Sequence, residues 1–133
     1  MAGERALAMP VPITPDGLAR PGGHYSHACS GAGLVFVSGQ LPITAAGLHL
    51  ADAPFEQQAA QVLAHVRTAL RAAGTDVDRL LQVRVYVDDI AHWPAFDALY
   101  AAWAGNARPA RAVVPTGPLH HGLKLEMEAV ALA

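Results

Sequence analysis

Two charged residues near the end of the chain have the side chains and neighbours that chemistry needs. Arg111 lies in Pro109-Ala110-Arg111-Ala112-Val113-Val114, a guanidinium among small apolar residues. Its planar fork can hold a carboxylate through two parallel hydrogen bonds, which an ammonium cannot do. Glu126 lies in Leu125-Glu126-Met127-Glu128. A partly buried carboxylate there can position a water and take up its proton, with a pKa open to upward tuning. Both residues also have an ordinary structural reading. Arg111 could be the ion partner of Glu126, Glu128 or Asp97, because an unpaired buried guanidinium is too costly. Glu126 could be held by Lys124 or Arg111.

Seven histidines raise the question of a metal. His24 and His27 stand in an extended segment, where side chains three apart point to opposite faces. His120 and His121 are adjacent and diverge for the same reason. No cysteine or carboxylate completes a set with familiar ligand spacing, so no metal site is expected. His24 and His27 flank Tyr25 and would border any pocket that it lines. The lone Cys29 excludes an internal disulfide and reads as a small packed residue.

The elements that must position these residues follow from periodicity and punctuation. Residues 1–22, with prolines at 10, 12, 15 and 21, read as an extended arm or edge hairpin. LVFVSG at 34–39 reads as a strand after the turn-like Gly31-Ala32-Gly33. Phe55, Ala59, Val62, Leu63, Val66 and Leu70 recur at helical spacing from about Ala53. Asp52 is the expected cap of that helix, with Pro54 in its first turn and Gly74 at its end. A strand at 80–87 and a helix from about His92 carrying Trp93, Phe96, Tyr100 and Trp103 come next. Strands at about 110–114 and 122–131 close the chain. The aromatics of the second helix read as core or interface.

The order β-α-β-α-β-β makes an α+β fold with both helices on one face of the sheet. Alternation pairs Leu123, Leu125 and Met127 on one face of the last strand against Lys124, Glu126 and Glu128 on the other. With Ala110, Ala112 and Val114 under the helices, Arg111 and Val113 would join Glu126 on the uncovered face. A charged fraction of only 15% favours covering that face with further copies of the chain.

Composition bounds the rest. The 133 residues are 53% apolar, enough for one folded domain. A net charge of −2 argues against binding nucleic acid through its phosphates. Met1 to Met9 holds no signal-peptide pattern, and no apolar run reaches the length of a bilayer. A cytoplasmic protein without a membrane partner is the expectation.

The C-terminal run from Pro109 to Val114, then Gly117, Leu119 and Leu125-Glu126-Met127-Glu128, resembles the signature of the RidA/YjgF reactive-intermediate deaminases. Gly23-His24-Tyr25-Ser26, LVFVSGQLPI at 34–43, Ala73-Gly74 and VRVYVDD at 83–89 extend the resemblance from about Gly22 to Ala131. It implies a chorismate-mutase-like fold forming a homotrimer, with clefts at the subunit boundaries. It implies hydrolysis of 2-imino acids, formed from enamines such as 2-aminoacrylate, to 2-keto acids and ammonia without cofactor or metal. By resemblance Arg111 binds the substrate carboxylate and Glu126 holds the water, while Tyr25 and the turn at Ser38-Gly39 line the pocket, as does Val113. The chain departs from the family's usual pattern at His24, where proline is common, at Val113 for cysteine, at Asp97 for asparagine, and at His120 for proline. Those departures also admit a RidA-like tailoring enzyme of a specialised pathway, or a trimer that binds a small ligand without turnover. Asp97, if near the cleft, would pair with Arg111 and weaken its hold on a carboxylate.

Overall fold

The chain was described as a computed structural model over residues 8–133. Six strands form one sheet in the order β1-β2-β3-β6-β4-β5. They are β1 (Val11–Ile13), β2 (Ala28–Gly31), β3 (Leu34–Gln40), β4 (Leu80–Val87), β5 (Ala110–Pro115) and β6 (Leu125–Leu132). Helices α1 (Phe55–Ala72) and α2 (Trp93–Ala104) pack on one face, giving the expected α+β architecture.

The arm proves to be an edge strand. Val11, Pro12 and Ile13 pair antiparallel with Ser30, Cys29 and Ala28. The portion of the arm before residue 8 lies outside the described residues. β2 itself went unread in the sequence, because ACSG has neither alternation nor length. The β2–β3 connection has only two central residues, Ala32 and Gly33, with φ of 54° and 77°. Two positive φ values in a two-residue loop are the twist-matched hairpin solution, and alanine is an awkward occupant of it.

α1 ends as expected: Gly74 has φ 85°, Thr75 N–H donates to Leu70 O and Gly74 N–H to Arg71 O, each at 3.0 Å. This is the reciprocal pairing of a glycine-terminated helix. Its start differs from expectation. Pro54 takes the cap position without a side-chain bond, and Asp52 does not cap. Buried Gln58 ties the start of the helix instead: its amide donates to Ala53 O (3.0 Å) and accepts from Lys124 N–H (3.0 Å).

The core lies between helices and sheet. Val83, Val85 and Val87 of β4, with Leu125 and Met127 of β6, are fully buried against Val62, Val66, Leu70 and Phe96. β5 runs parallel to β4, with Val83 opposite Arg111 and Val85 opposite Val113. Residues paired across neighbouring strands share a face. Arg111 and Val113 therefore lie on the helix-covered face. Arg84 opposite Glu128 and Tyr86 opposite Glu126 mark the open one.

This corrects the expectation that Arg111, Val113 and Glu126 share the uncovered face. Alternation fixes which residues go together within a strand; it does not fix which set meets the helices. The apolar set Ala110, Ala112 and Val114 was assigned inward on hydrophobicity. Register with β4 turns it outward, leaving Val114 39% exposed. The open face also carries Phe36, 48% exposed. Among the described residues, no helix is long and apolar enough to cross a membrane.

Candidate active site

The residues singled out in the sequence fall into two groups on opposite faces of the sheet. The first surrounds Glu126. Between Val37, opposite Ala129, and Gln40, opposite Met127, β3 advances three residues while β6 advances two. The extra residue makes a β-bulge at Ser38-Gly39, a feature that re-aims a strand. What was expected as a turn is this bulge within the strand.

Ser38 Oγ donates to Ser26 O at 2.6 Å, and Ser38 N–H donates to His27 O at 2.9 Å. Buried His27 meets Ala19 O through Nε2 at 2.7 Å and the Gln40 amide through Nδ1 at 3.1 Å. The partners fix the tautomer: Nε2–H donates to the carbonyl and Nδ1 accepts from the amide. These bonds pin the segment that carries Tyr25, whose ring stays half exposed and whose hydroxyl accepts from Gly22 N–H (3.3 Å).

Gly39 is required by space rather than by φ. A Cβ there would collide with the Glu126 carboxylate and lie 2.9 Å from its Cδ. Among the described residues no side chain bonds that carboxylate; Lys124 is not its partner, and Arg111 is on the other face. Burial raises the Glu126 pKa above the ordinary carboxylate value, His120 acts against the rise, and Glu128 adds to it. A half-buried, unpaired carboxyl held against a glycine is a fit proton acceptor.

Tyr25, Gly39 and His120 open onto a cavity of about 460 Å³. Ser38 does not line it and borders a neighbouring groove with Arg84 and Glu128. His120 and His121 do not diverge as an extended chain would have them do. They sit on a short helical turn, His120–Gly122, where His121 adopts φ 58° and stacks on His49 with ring centroids 3.8 Å apart. Both line the cavity, with His49 and His65, which the sequence did not single out. The only local signal was His121-Gly122, a pair that tolerates left-handed backbone. His24 stays outside the cavity. Among the described residues, no three His, Cys, Asp or Glu are grouped to hold an ion.

The second group surrounds Arg111 at the β5 edge. Arg111 Nη1 donates to Asp97 Oδ1 at 2.8 Å. Its guanidinium lies 4.9 Å from the Tyr100 ring centroid and 5.7 Å from that of Trp93. Two aromatics expected as core or interface thus also cradle a cation. The pair with Asp97 uses one side of the fork and leaves other N–H groups for a ligand. Val113 lies one alternation further along the same face and packs on the core.

A family model described as endoribonuclease L-PSP matches residues 18–133, which include every site residue above. The chain belongs to the RidA/YjgF family. Among family members, protein HMF1 of Saccharomyces cerevisiae is 35% identical over 80% of this chain and 82% of its own length. The RutC family protein y4sK of Sinorhizobium fredii is 36% identical over 81% and 86%. The crystal structure of the YjgF gene product of E. coli superposes with a TM-score of 0.85 at 28% identity, covering 92% of this chain and 98% of that one. The matched residues 18–133 take in β3, both helices, β5 and β6, and so both groups.

Proposed function

We propose that the protein hydrolyses reactive 2-imino acids, and the enamines that give rise to them, to 2-keto acids and ammonia. The observation that carries this reading is the Glu126 carboxyl: half-buried, without a side-chain partner among the described residues, its pKa raised, and held against Gly39, which lines a cavity. Arg111 supplies what Glu126 lacks, a fork that can grip the substrate carboxylate. One copy of the chain puts these groups on opposite sheet faces. A homotrimer with clefts between subunits reconciles them, Arg111 and Val113 coming from one copy and Tyr25, Gly39 and Glu126 from the next. The exposed Phe36 and Val114 on the uncovered face support such packing.

In this reading water attacks the imine carbon and passes a proton to Glu126. Glu126 returns that proton to nitrogen to give the carbinolamine. It then carries the hydroxyl proton to the same nitrogen as the C–N bond breaks, so ammonia leaves and the ketone forms. Imines hydrolyse unaided in water, so positioning supplies most of the acceleration required. Neither metal nor organic cofactor enters these steps. Net charge of −2 speaks against an RNA substrate.

The test generates 2-iminobutyrate with an amino-acid oxidase and traps the imine with semicarbazide. The protein should lower the semicarbazone yield, and Arg111→Ala should abolish the effect while size-exclusion chromatography still reports a trimer. No effect from the unmodified protein sinks the reading. Full activity in Arg111→Ala makes Arg111 structural.

A further inference from the structure

The cavity beside Glu126 has a lining that small, apolar imino acids do not need. Arg20 and five imidazoles, those of His27, His49, His65, His120 and His121, face it, and among the described residues no aspartate or glutamate does. At about 460 Å³ it falls among pockets that hold whole small molecules, roughly 300–1,000 Å³, and exceeds what a three-carbon acid fills. Because Tyr25 and Gly39 line it and Glu126 rests on Gly39, it lies where a substrate side chain would extend from the reacting carbon.

Two of the imidazoles are committed to the fold. His27 bonds to Ala19 O and Gln40, and His65 Nε2 meets Ile43 O at 2.6 Å. Arg20, His49, His120 and His121 make no hydrogen bond or ion pair among the described residues, so their N–H groups are open to an acceptor. The His49–His121 stack sharpens the point. Rings 3.8 Å apart and 22° from parallel bring two imidazoles together, so one anion can accept an N–H from each. His121 holds its place in a left-handed conformation costly for a non-glycine residue, and such positions persist at ligand clamps.

We infer that this cavity takes a carboxylate at the far end of the substrate side chain, so that the preferred substrates are imines of dicarboxylic amino acids. The inference rests on the proposed hydrolysis and deepens it by naming the substrate class. Arg111 holds the α-carboxylate, Glu126 serves the imine, and Arg20 with the free histidines holds the distal carboxylate.

The test pairs two ligands of equal chain length that differ only at the tip. Calorimetry at pH 7 compares 2-oxoglutarate with 2-oxopentanoate, the stable keto products. Semicarbazide trapping compares the imines that oxidases make from glutamate and norvaline. Charge-assisted bonds to the tip should favour 2-oxoglutarate about tenfold or more in affinity, and the glutamate imine about as much in kcat/KM. Arg20→Gln, His49→Gln and His121→Asn should each pull both ratios towards one; asparagine keeps the left-handed turn and removes the ring.

Equal binding of the two keto acids, no binding of either, or tighter binding of 2-oxopentanoate overturns the inference. Hydrolysis of the norvaline imine without preference for the glutamate imine does the same, and leaves the imine-hydrolase reading intact. Preferential 2-oxoglutarate binding that the variants abolish, with neither imine hydrolysed, upholds the anion site and removes the hydrolase reading.

Discussion

Replacing Asp97 by asparagine should tighten the grip of Arg111 on a substrate carboxylate. Asp97 Oδ1 accepts from Nη1 at 2.8 Å, and an asparagine Oδ1 can accept in its place without the charge. A carboxylate bound to the rest of the fork would lie about 6 Å from Asp97. At that distance, with an effective dielectric of about 40–80, the repulsion is about 0.7–1.4 kcal/mol. The Asp97 side chain is 41% exposed, so solvent screening favours the lower part of the range, about 0.7–1 kcal/mol. The KM for 2-iminobutyrate should therefore fall about three- to fivefold in Asp97→Asn, with kcat within about twofold. The difference should shrink at 0.5 M salt, as a screened interaction must. Asp97→Ala removes the acceptor as well, frees the guanidinium to swing, and should lower kcat. A KM that rises in Asp97→Asn would refute the reasoning, because it would make the charge of Asp97 a requirement for orienting Arg111.

Other outcomes follow from Glu126 and the turns. Its folded pKa is raised by burial, so the acid limb of kcat/KM should lie above pH 4.5, and Glu126→Gln should abolish activity at every pH in the trapping assay. The sign for stability is set by the same shift. The folded state keeps this proton where the unfolded chain has lost it, so the contribution is full below pH 4.5 and is lost as pH rises through the folded value. Denaturant melts should show Glu126→Gln gaining on the unmodified protein across that window. Gly39→Ala forces the Glu126 carboxyl aside, and the flexible side chain yields easily. It should cost about a hundredfold in kcat, a typical general-base contribution, with Tm changed by only a few degrees. Ala32→Asn should stabilise the protein by about 0.5–1 kcal/mol, read as an urea midpoint shift, because asparagine accepts the left-handed φ of 54° better than alanine.

Much of the fold was legible in the residues. Helical spacing from Phe55 to Leu70 and the run 80–87 each reported an element whose period exceeds its noise. β2 was not legible, because four residues of ACSG gain strand character only from Leu34–Val37 and Val11–Ile13 on either side. Nor was the β3 bulge, which exists only relative to β6. The site was half legible. The run around Arg111 and the neighbours of Glu126 marked both residues, and Asp97 was anticipated as the partner of Arg111. The histidine cavity was missed because four distant segments build it, and because adjacent His120 and His121 were given extended geometry.

The sequence by itself determined the chemistry on offer: one fork for a carboxylate, one carboxyl for a water, and the alternation that groups each with its neighbours. Tertiary structure decided which way those groups face. Arg111 points towards the helices because parallel register with β4 sets it opposite Val83, and because Asp97, Trp93 and Tyr100 of α2 compensate its partly buried charge. A strand's own residues carry its period of two but not its phase relative to the sheet. That phase is an energy shared between strands, settled when they pair.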